Sequence, residues 1–309
     1  MSDDNIPFDK SLNLAPGQVD EVLPGVRRLL CNNPSPFTFK GTMSYIIGKG
    51  QVAIVDPGPN NDAHIAALLD AVRGETVTHI FVTHTHRDHS PAVPRIKGAT
   101  GARVFAEGPH RPARALHTGE VNPLEGSGDM EFTPDQVLAD GDVVSAAGFT
   151  IEAVATPGHT ANHMAFAFRE ANALFCGDHV MAWSTSIVAP PDGAMSDYMA
   201  SLHKLARRSE GVYLPGHGPA VRDARRFVPY YIRHREAREA SILHRLGKGA
   251  ADIPTLVRAI YIGIDARLVR AAGLSVLAHL EDMAVRGLVE TEGPPSIDGI
   301  YRRVDFAGA

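Results

Sequence analysis

Apolar residues along this chain follow two spacings. The runs 44–48, 51–55, 78–83, 102–106, 142–146, 149–156, 163–168 and 173–177 are short and rich in β-branched and aromatic residues, which suits strands. Gly48-Lys49-Gly50 separates the first two runs and signals a hairpin. Between runs, apolar positions recur at three and four. Ile65, Leu68, Leu69 and Val72 form one stripe behind Asn61-Asp62, which suits a helix N-cap. Ser90-Pro91 reads as the N-cap and first position of another helix. Helices are also predicted over 196–209 and about 229–246, the latter rich in arginine. Early hairpin strands mixed with helices predict sheets covered by helices, an α/β or α+β layered body.

The pattern changes at Leu246-Gly247-Lys248-Gly249, which predicts a body over 1–247 and a small domain over 248–309. Asp252 caps a predicted helix carrying Leu256, Val257, Ile260 and Tyr261. A second helix is predicted from Asp265 to Ala272, stopped by Gly273. A third runs from about Ser275 to Arg286, with Leu277, Leu280 and Ala284 on one face. Residues 288–292 and 300–304 read as two strands. Three helices and a hairpin outline a winged helix.

At 309 residues the chain can bury a sizeable core. Its 44% hydrophobic and 21% charged residues are ordinary for a soluble globular protein. A net charge of −5 provides no global basic field for nucleic acid. The start MSDDNIPFDK has no apolar run, so no signal peptide is expected, and no stretch reaches the roughly 20 apolar residues of a membrane span. Cys31 and Cys176 give no disulfide framework and fit a reducing, cytoplasmic setting. The 15 histidines are the anomaly.

Four of the ligand-type residues, His84, His86, Asp88 and His89, lie in THTHRDHS (83–90), just past a predicted strand. Imidazole and carboxylate suit zinc, manganese and iron. In an extended segment His84 and His86 project to one side. Asp88 and His89 lie where the chain turns toward the next helix and point to a neighbouring ion. Three further candidates sit where strands meet glycine turns: His159 in PGHT, Asp178 in CGDH and His217 in PGHG. The set divides into His84, His86 and His159 on one ion and Asp88, His89 and His217 on another, with Asp178 bridging. Such a set leaves coordination open for water, which marks a catalytic site. A sealed structural ion usually has four closed, cysteine-rich ligands.

His84-Thr-His86-Arg-Asp88-His89, Pro157-Gly-His159-Thr, Gly177-Asp178 and Pro215-Gly-His217-Gly resemble the metallo-β-lactamase superfamily in motif and order. The resemblance implies an αββα sandwich with metal at one edge of its two sheets. It also implies that Asp56, in Val55-Asp56-Pro57-Gly58, supports a metal-ligating histidine. GTMSYIIG (41–48), THTHRDHSPAV (83–93), PGHTANHMAF (157–166), YLPGHGP (213–219) and YYIRHREARE (230–239) with a winged-helix tail resemble the β-lactamase-like protein 2 branch. That branch includes enzymes that cut single-stranded RNA and relatives acting as thioesterases.

The expected function is therefore a dinuclear hydrolase, zinc first among the metals, with manganese or iron as substitutes. A metal-bridging hydroxide would attack a phosphodiester or a thioester/ester. Asp88 would orient that hydroxide, and His163 would stand near the leaving oxygen. Thr160 and Asn162 would shape the loop, while Cys176 fills the core or approaches the site. Arg222, Arg225, Arg226, Arg233, Arg235 and Arg238 form either a rim for a phosphate-bearing substrate or a salt-bridged helix face with pairs such as Arg235–Glu239. The tail from Lys248 has seven Lys/Arg against eight Asp/Glu, so double-stranded DNA is not an expected partner. It reads as a packing element, a substrate wall or a subunit contact in a homodimer. No membrane partner is expected. Competing functions are a mononuclear-iron sulfur dioxygenase and a non-catalytic metal-binding protein. Only 38 residues separate Asp178 from His217, which excludes the nucleases with an inserted cap there.

Overall fold

The computed structural model describes residues 6–305 apart from 119, 123 and 124, so the first five residues of the acidic start lie outside it. The first sheet contains β1 (Val19–Leu23), β2 (Val26–Leu30), β3 (Met43–Lys49), β4 (Gln51–Val55), β5 (Thr76–Phe81), β6 (Arg103–Ala106) and β7 (Gln136–Val137), side by side in chain order. Its first four strands are antiparallel and the later pairs are parallel. The second sheet contains β8 (Val143–Ala146), β9 (Phe149–Ala155), β10 (Met164–Phe168), β11 (Ala173–Gly177) and β12 (Val212–Pro215), again in order. Its strands are antiparallel except for the β11–β12 pair.

Side-chain alternation along the strands makes the layers. Met43, Tyr45 and Ile47 of β3 meet Ile151 of β9 and Met164, Phe166 and Phe168 of β10 between the sheets. Phe81, Phe149 and Phe175 join them there, fully buried, each worth about 1.5–3 kcal/mol over exposure. The intervening residues face outward. Ile46, Val52 and Ile54 pack under α1 (Asp62–Ala71) and α2 (Val93–Thr100). Ala165, Ala167 and Leu174 pack under α3 (Met195–Leu205) and α4 (Ala224–Leu246). The body is thus a four-layer αββα sandwich.

Local chemistry sets the helix ends. Asn61 Oδ1 accepts from His64 N–H at 3.0 Å and starts α1. Ser90 does not cap α2: its hydroxyl donates to Asp129 Oδ2 at 2.7 Å, and the helix begins at Val93 behind Ala92. Asp223 caps α4, so this helix starts before Pro229, which lies inside it. In the tail, α5 (Ile253–Ile260) begins at Asp252, whose Oδ1 accepts from Thr255 N–H at 2.8 Å. A 3₁₀ turn at Ala266–Leu268 leads into α6 (Val269–Val285). The expected stop at Gly273 does not occur, and α6 runs through it. Ala272, Val276 and Leu277 of α6 share a core with Ile253, Leu256 and Val257 of α5, and burying this face outweighs a helix-propensity cost of about 1 kcal/mol at the glycine. Strands β13 (Ala251–Asp252), β14 (Val289–Thr291) and β15 (Ile300–Arg303) complete the winged helix in the order β13-β15-β14. Ile242 and Leu246 of α4 enter the tail's core beside Leu256, Leu277 and Tyr301. No helix among the described residues is long and apolar enough to cross a membrane.

Candidate metal centre

Strands β4, β5, β9, β11 and β12 deliver Asp56, the 84–89 segment, His159, Asp178 and His217 from their C-terminal ends. Two glycines make this geometry possible. Gly158 has φ +135°, and a Cβ on it would lie 2.3 Å from Tyr198 Cα, so only glycine lets the turn carrying His159 pass α3. Gly177 has φ +48°, and a Cβ would lie 2.7 Å from both His163 Nε2 and Thr83 Oγ1.

The seven candidate groups come together. His86 Nδ1 stands 3.1 Å from His84 Nε2 and 3.0 Å from His159 Nε2. His217 Nε2 stands 3.1 Å from Asp88 Oδ2, and His89 Nε2 is 3.5 Å from the same oxygen. Asp178 faces both groups: Oδ2 is 3.3 Å from His217 Nε2, 3.7 Å from His159 Nε2 and 4.0 Å from His84 Nε2, while Oδ1 is 3.6 Å from His89 Nε2. Three trios could hold a metal ion, namely His84/His86/His159, His84/His89/Asp178 and Asp88/His89/His217, each with ligand atoms within 4.8 Å of one another.

The donor set fits divalent cations. His84 Nδ1–H donates to Thr83 Oγ1 at 3.0 Å, and His159 Nδ1–H donates to the Ile187 carbonyl at 2.6 Å. His89 Nδ1–H donates to Asp56 Oδ2 at 3.0 Å, and His217 Nδ1–H donates to the Gly41 carbonyl at 3.1 Å. The Nε2 lone pair of each of these four therefore points inward. Nitrogens 2.0–2.1 Å from a tetrahedral zinc lie about 3.3 Å apart, close to the separations here. Buried His89 Nε2 and Asp178 Oδ1 have no hydrogen-bond partner.

The electrostatics separate two halves. Burial, and then neighbouring imidazoles, hold His84 well below its ordinary range and His86 at about 3. Burial also lowers His159, against the pull of Asp178. Burial opposes protonation of His89 and His217 too, but the two carboxylates outweigh it; His89 is raised well above its range and His217 reaches about 10. In turn Asp88 and Asp178 sit well below the carboxylate range despite burial. The two carboxylates thus make this half of the centre favourable for positive charge, the property a divalent cation there would use.

Supporting contacts lie behind this ring. Asp56 has φ +50° and accepts from Thr83 N–H and Thr83 Oγ1–H, both at 2.7 Å, as well as from His89. Thr42 Oγ1–H donates to Asp88 Oδ2 at 3.0 Å, and Asn33 Nδ2–H donates to Thr42 Oγ1 at 3.0 Å. Neutral residues such as Thr42 and Asn33 carry no ligand signal, and the sequence reading missed both. Asn162 Nδ2–H donates to Thr85 Oγ1 and to the carbonyls of Gly108 and Pro109, which ties neighbouring loops together; Thr160 Oγ1–H donates to Asn162 Oδ1. His163 is not at an open face. It is fully buried, its Nδ1–H donates to Thr156 Oγ1 at 2.8 Å, and its Nε2 accepts from Asp178 N–H at 3.2 Å. It holds the Asp178 backbone and has no proton free for a leaving group. Cys176 packs in the outer core under α3 and α4, with Sγ–H donating to the Val180 carbonyl.

Residues 37–217 match the model of the Metallo-beta-lactamase superfamily, more than half of the chain. The chain belongs to the metallo-beta-lactamase superfamily. Residues 253–295 match the Beta-lactamase associated winged helix domain. The chain is 30% identical over 259 residues to an atrochrysone carboxyl ACP thioesterase of Aspergillus fumigatus, covering 79% of this chain and 76% of that protein. It is 31% identical over 229 residues to a Beta-lactamase-like protein 2 homolog of Caenorhabditis elegans, covering 73% of this chain and 72% of that protein. A metallo-beta-lactamase family crystal structure from Thermus thermophilus superposes with TM-score 0.73 at 28% identity, over 92% of this chain and all of that one.

Of the six arginines that follow closely after His217, five have partners and Arg222 is exposed. Arg235 is buried: its guanidinium donates to the Ser186 carbonyl and lies 5.1 Å from the Tyr198 ring centre. It makes no pair with Glu239, which binds Arg286 instead. Arg233 covers Tyr230, Arg238 covers Tyr261, Arg225 donates to the Ser209 carbonyl and Arg226 lies 3.9 Å from Asp223. Apolar side chains are exposed on segments adjoining the centre: Phe37, Leu116 and Met130. Met130 follows Gly128, which bridges to His86 in the backbone. Phe39 stacks on Trp183 at 4.9 Å, beside Gly218 and hence next to His217.

Proposed function

We propose that this protein is a hydrolase with two divalent cations, zinc in the first place, and that it cleaves thioesters or esters with an apolar acyl part. His84, His86 and His159 hold one ion; Asp88, His89 and His217 hold the other; Asp178 serves both. The observation that carries this reading is the position of Asp178, with one oxygen toward His217 and His159 and the other toward His89. Bound cations supply Lewis acidity and make water a nucleophile near neutral pH. The chain's own part is positional. Asp88 is the most open carboxylate of the set, with 26% of its side chain exposed, and Thr42 fixes its rotamer. It is placed to accept a hydrogen bond from the attacking water and to orient it. His163 acts only by holding Asp178 N–H.

Two observations favour an acyl substrate over single-stranded RNA. Five of the six arginines expected to form a phosphate rim contact carbonyls, aromatic rings or a carboxylate, with Arg222 the exposed sixth, and the segments beside the centre expose apolar side chains. A thioesterase-named relative supports the same direction. We also place the boundary between hydrolase body and winged-helix domain at 247/248, with α4 contributing to both cores. The deciding experiment sets an acyl-coenzyme A panel against labelled single-stranded RNA, with metal content measured by mass spectrometry. Thioester turnover with about two ions per chain is expected. Cleavage of RNA alone would move the substrate to the phosphodiester reading. One iron per chain with thiol-dependent oxygen uptake would replace the hydrolase by a sulfur dioxygenase, and no turnover in any arm would leave a metal-binding protein.

A further inference from the structure

Among the contacts between the body and the winged helix, the charged cluster around Arg114 extends toward the metal centre. Glu281 lies on α6, one turn beyond Ala278, which packs into the body's outer core. The two share a helix face, while Leu277 and Leu280 face the tail's own core. Glu281 Oε1 accepts from Arg114 Nη2 at 2.6 Å, and both its oxygens lie within 3.3 Å of Arg114 Nε. The same guanidinium donates to both oxygens of Glu120, at 2.7 and 2.8 Å. Glu120 Oε2 in turn accepts from His117 N–H at 2.8 Å. Arg114 therefore gathers the loop segment 107–118 and pins it on α6. Its side chain is 24% exposed and that of Glu281 17%, so water screens this pair less than an open surface pair.

The other end of this segment touches the metal-binding loop. His110 Nδ1 lies 2.9 Å from Thr85 Oγ1, and Thr85 sits between His84 and His86. Gly108 and Pro109 carbonyls accept from Asn162, which also donates to Thr85. His110 Nε2 lies 3.3 Å from the fully buried Asp192 Oδ2, and Ala113 N–H donates to the Pro191 carbonyl. None of these contacts supplies a metal ligand. They fix a wall that carries the exposed Leu116.

We propose that Glu281 of the winged helix is a positioning residue: through Arg114 it sets the place of segment 107–118 and so tunes substrate binding at the metal centre. This rests on the hydrolase reading above for its kinetic arm alone. A tail that merely glues the body together would give global destabilisation when Glu281 is lost. A positioning role gives a local one.

The test is Glu281→Ala in the full, metal-loaded chain. Hydrogen exchange should quicken by about tenfold at the amides of Ala113, His117 and Glu120, the change expected for losing one charge-assisted contact. Amides of β5, β11 and β12 should be unchanged, as should metal content. With decanoyl-coenzyme A as probe, KM should rise several-fold while kcat holds. Unchanged exchange in 107–118 overturns the proposal; so does exchange that quickens throughout the chain, or a fall in kcat with metal loss. If Glu281→Ala does not fold, Arg114→Gln is read by the same assays. Failure of the wild-type chain to cleave any thioester sinks the substrate reading and leaves the exchange arm to decide the coupling.

Discussion

Asp56→Asn probes the centre without touching a ligand. Asp56 accepts from Thr83 N–H and Thr83 O–H at 2.7 Å and from His89 Nδ1–H at 3.0 Å. An amide of the same shape keeps one acceptor for Thr83 N–H but presents N–H donors where Oδ2 stood. The Thr83 hydroxyl can rotate and accept. His89 Nδ1–H faces donor against donor, and relief comes from moving its proton to Nε2. That nitrogen is the one aimed at Asp88 and Asp178, and once protonated it offers no lone pair to a cation. Asparagine tolerates φ +50° as aspartate does, so the backbone stays. Loss of such a partner typically costs 10–100-fold in metal affinity, about 1.4–2.7 kcal/mol. The assay is zinc titration of the demetallated chain against a chromogenic chelator. The ion beside His89 should weaken by that factor while the ion at His84, His86 and His159 keeps its affinity. Equal affinities at both ions in variant and wild type would refute the tautomer argument. Equal weakening of both would show general disruption instead.

Other consequences follow from the same geometry. His86→Ala and Asp88→Ala should each fold, lose bound metal and lose hydrolysis; turnover unchanged in either variant removes the site assignment. Gly158→Ala would put a Cβ 2.3 Å from Tyr198 Cα, so soluble yield should collapse, with a stability loss of roughly 3 kcal/mol or more. A normal melting temperature would show that the turn has room the structure denies. His64 is buried against Ser44 and lowered from 6.5 to about 4, chiefly by burial. A depressed histidine keeps its full stability contribution above pH 6.5 and loses it as pH falls toward 4, because the unfolded chain takes up the proton first. Between pH 7.5 and 4.5 this removes roughly 2–3 kcal/mol. Urea midpoints should fall more steeply for wild type than for His64→Gln, and parallel curves would contradict the burial argument.

What the sequence disclosed, and what it hid, follows from where chemistry leaves a mark on residue type. Histidines and aspartates behind glycine turns stand out, and apolar runs alternating with helical stripes disclose sheets covered by helices, while the αββα order of the layers was implied by the family resemblance. Thr42 and Asn33 leave no mark, because hydroxyls and amides are common and their approach to Asp88 depends on a distant loop. His163 carries the same imidazole as the candidate ligands, yet its bond to Thr156 Oγ1 turns its other nitrogen to Asp178 N–H. Arg235 was legible in part. Val228, Tyr231, Arg235 and Ile242 form one helical stripe, and all are buried. The stripe outweighed the charge, since a carbonyl and an aromatic face receive the guanidinium. Gly273 shows the reverse case, in which a local stop signal yields to packing on α5.

The sequence could not show how two sheets present their ligands to one point. Backbone hydrogen bonds across the layers do this. Met164 N–H of β10 donates to the Thr83 carbonyl at 2.7 Å, and Met43 N–H of β3 donates to the Gly216 carbonyl at 2.8 Å. Gly216 N–H donates to the Gly177 carbonyl at 2.9 Å, so the turns carrying Asp178 and His217 are locked to each other as well. Each link lies within two residues of a proposed ligand or its support. The candidate centre is therefore held by the same buried amides that close the sandwich at this edge. Side-chain exchange at a ligand should leave these amides paired and the fold intact. A backbone insertion at 177 or 216 should break both the sheet edge and the cation site together, because one set of hydrogen bonds serves the two.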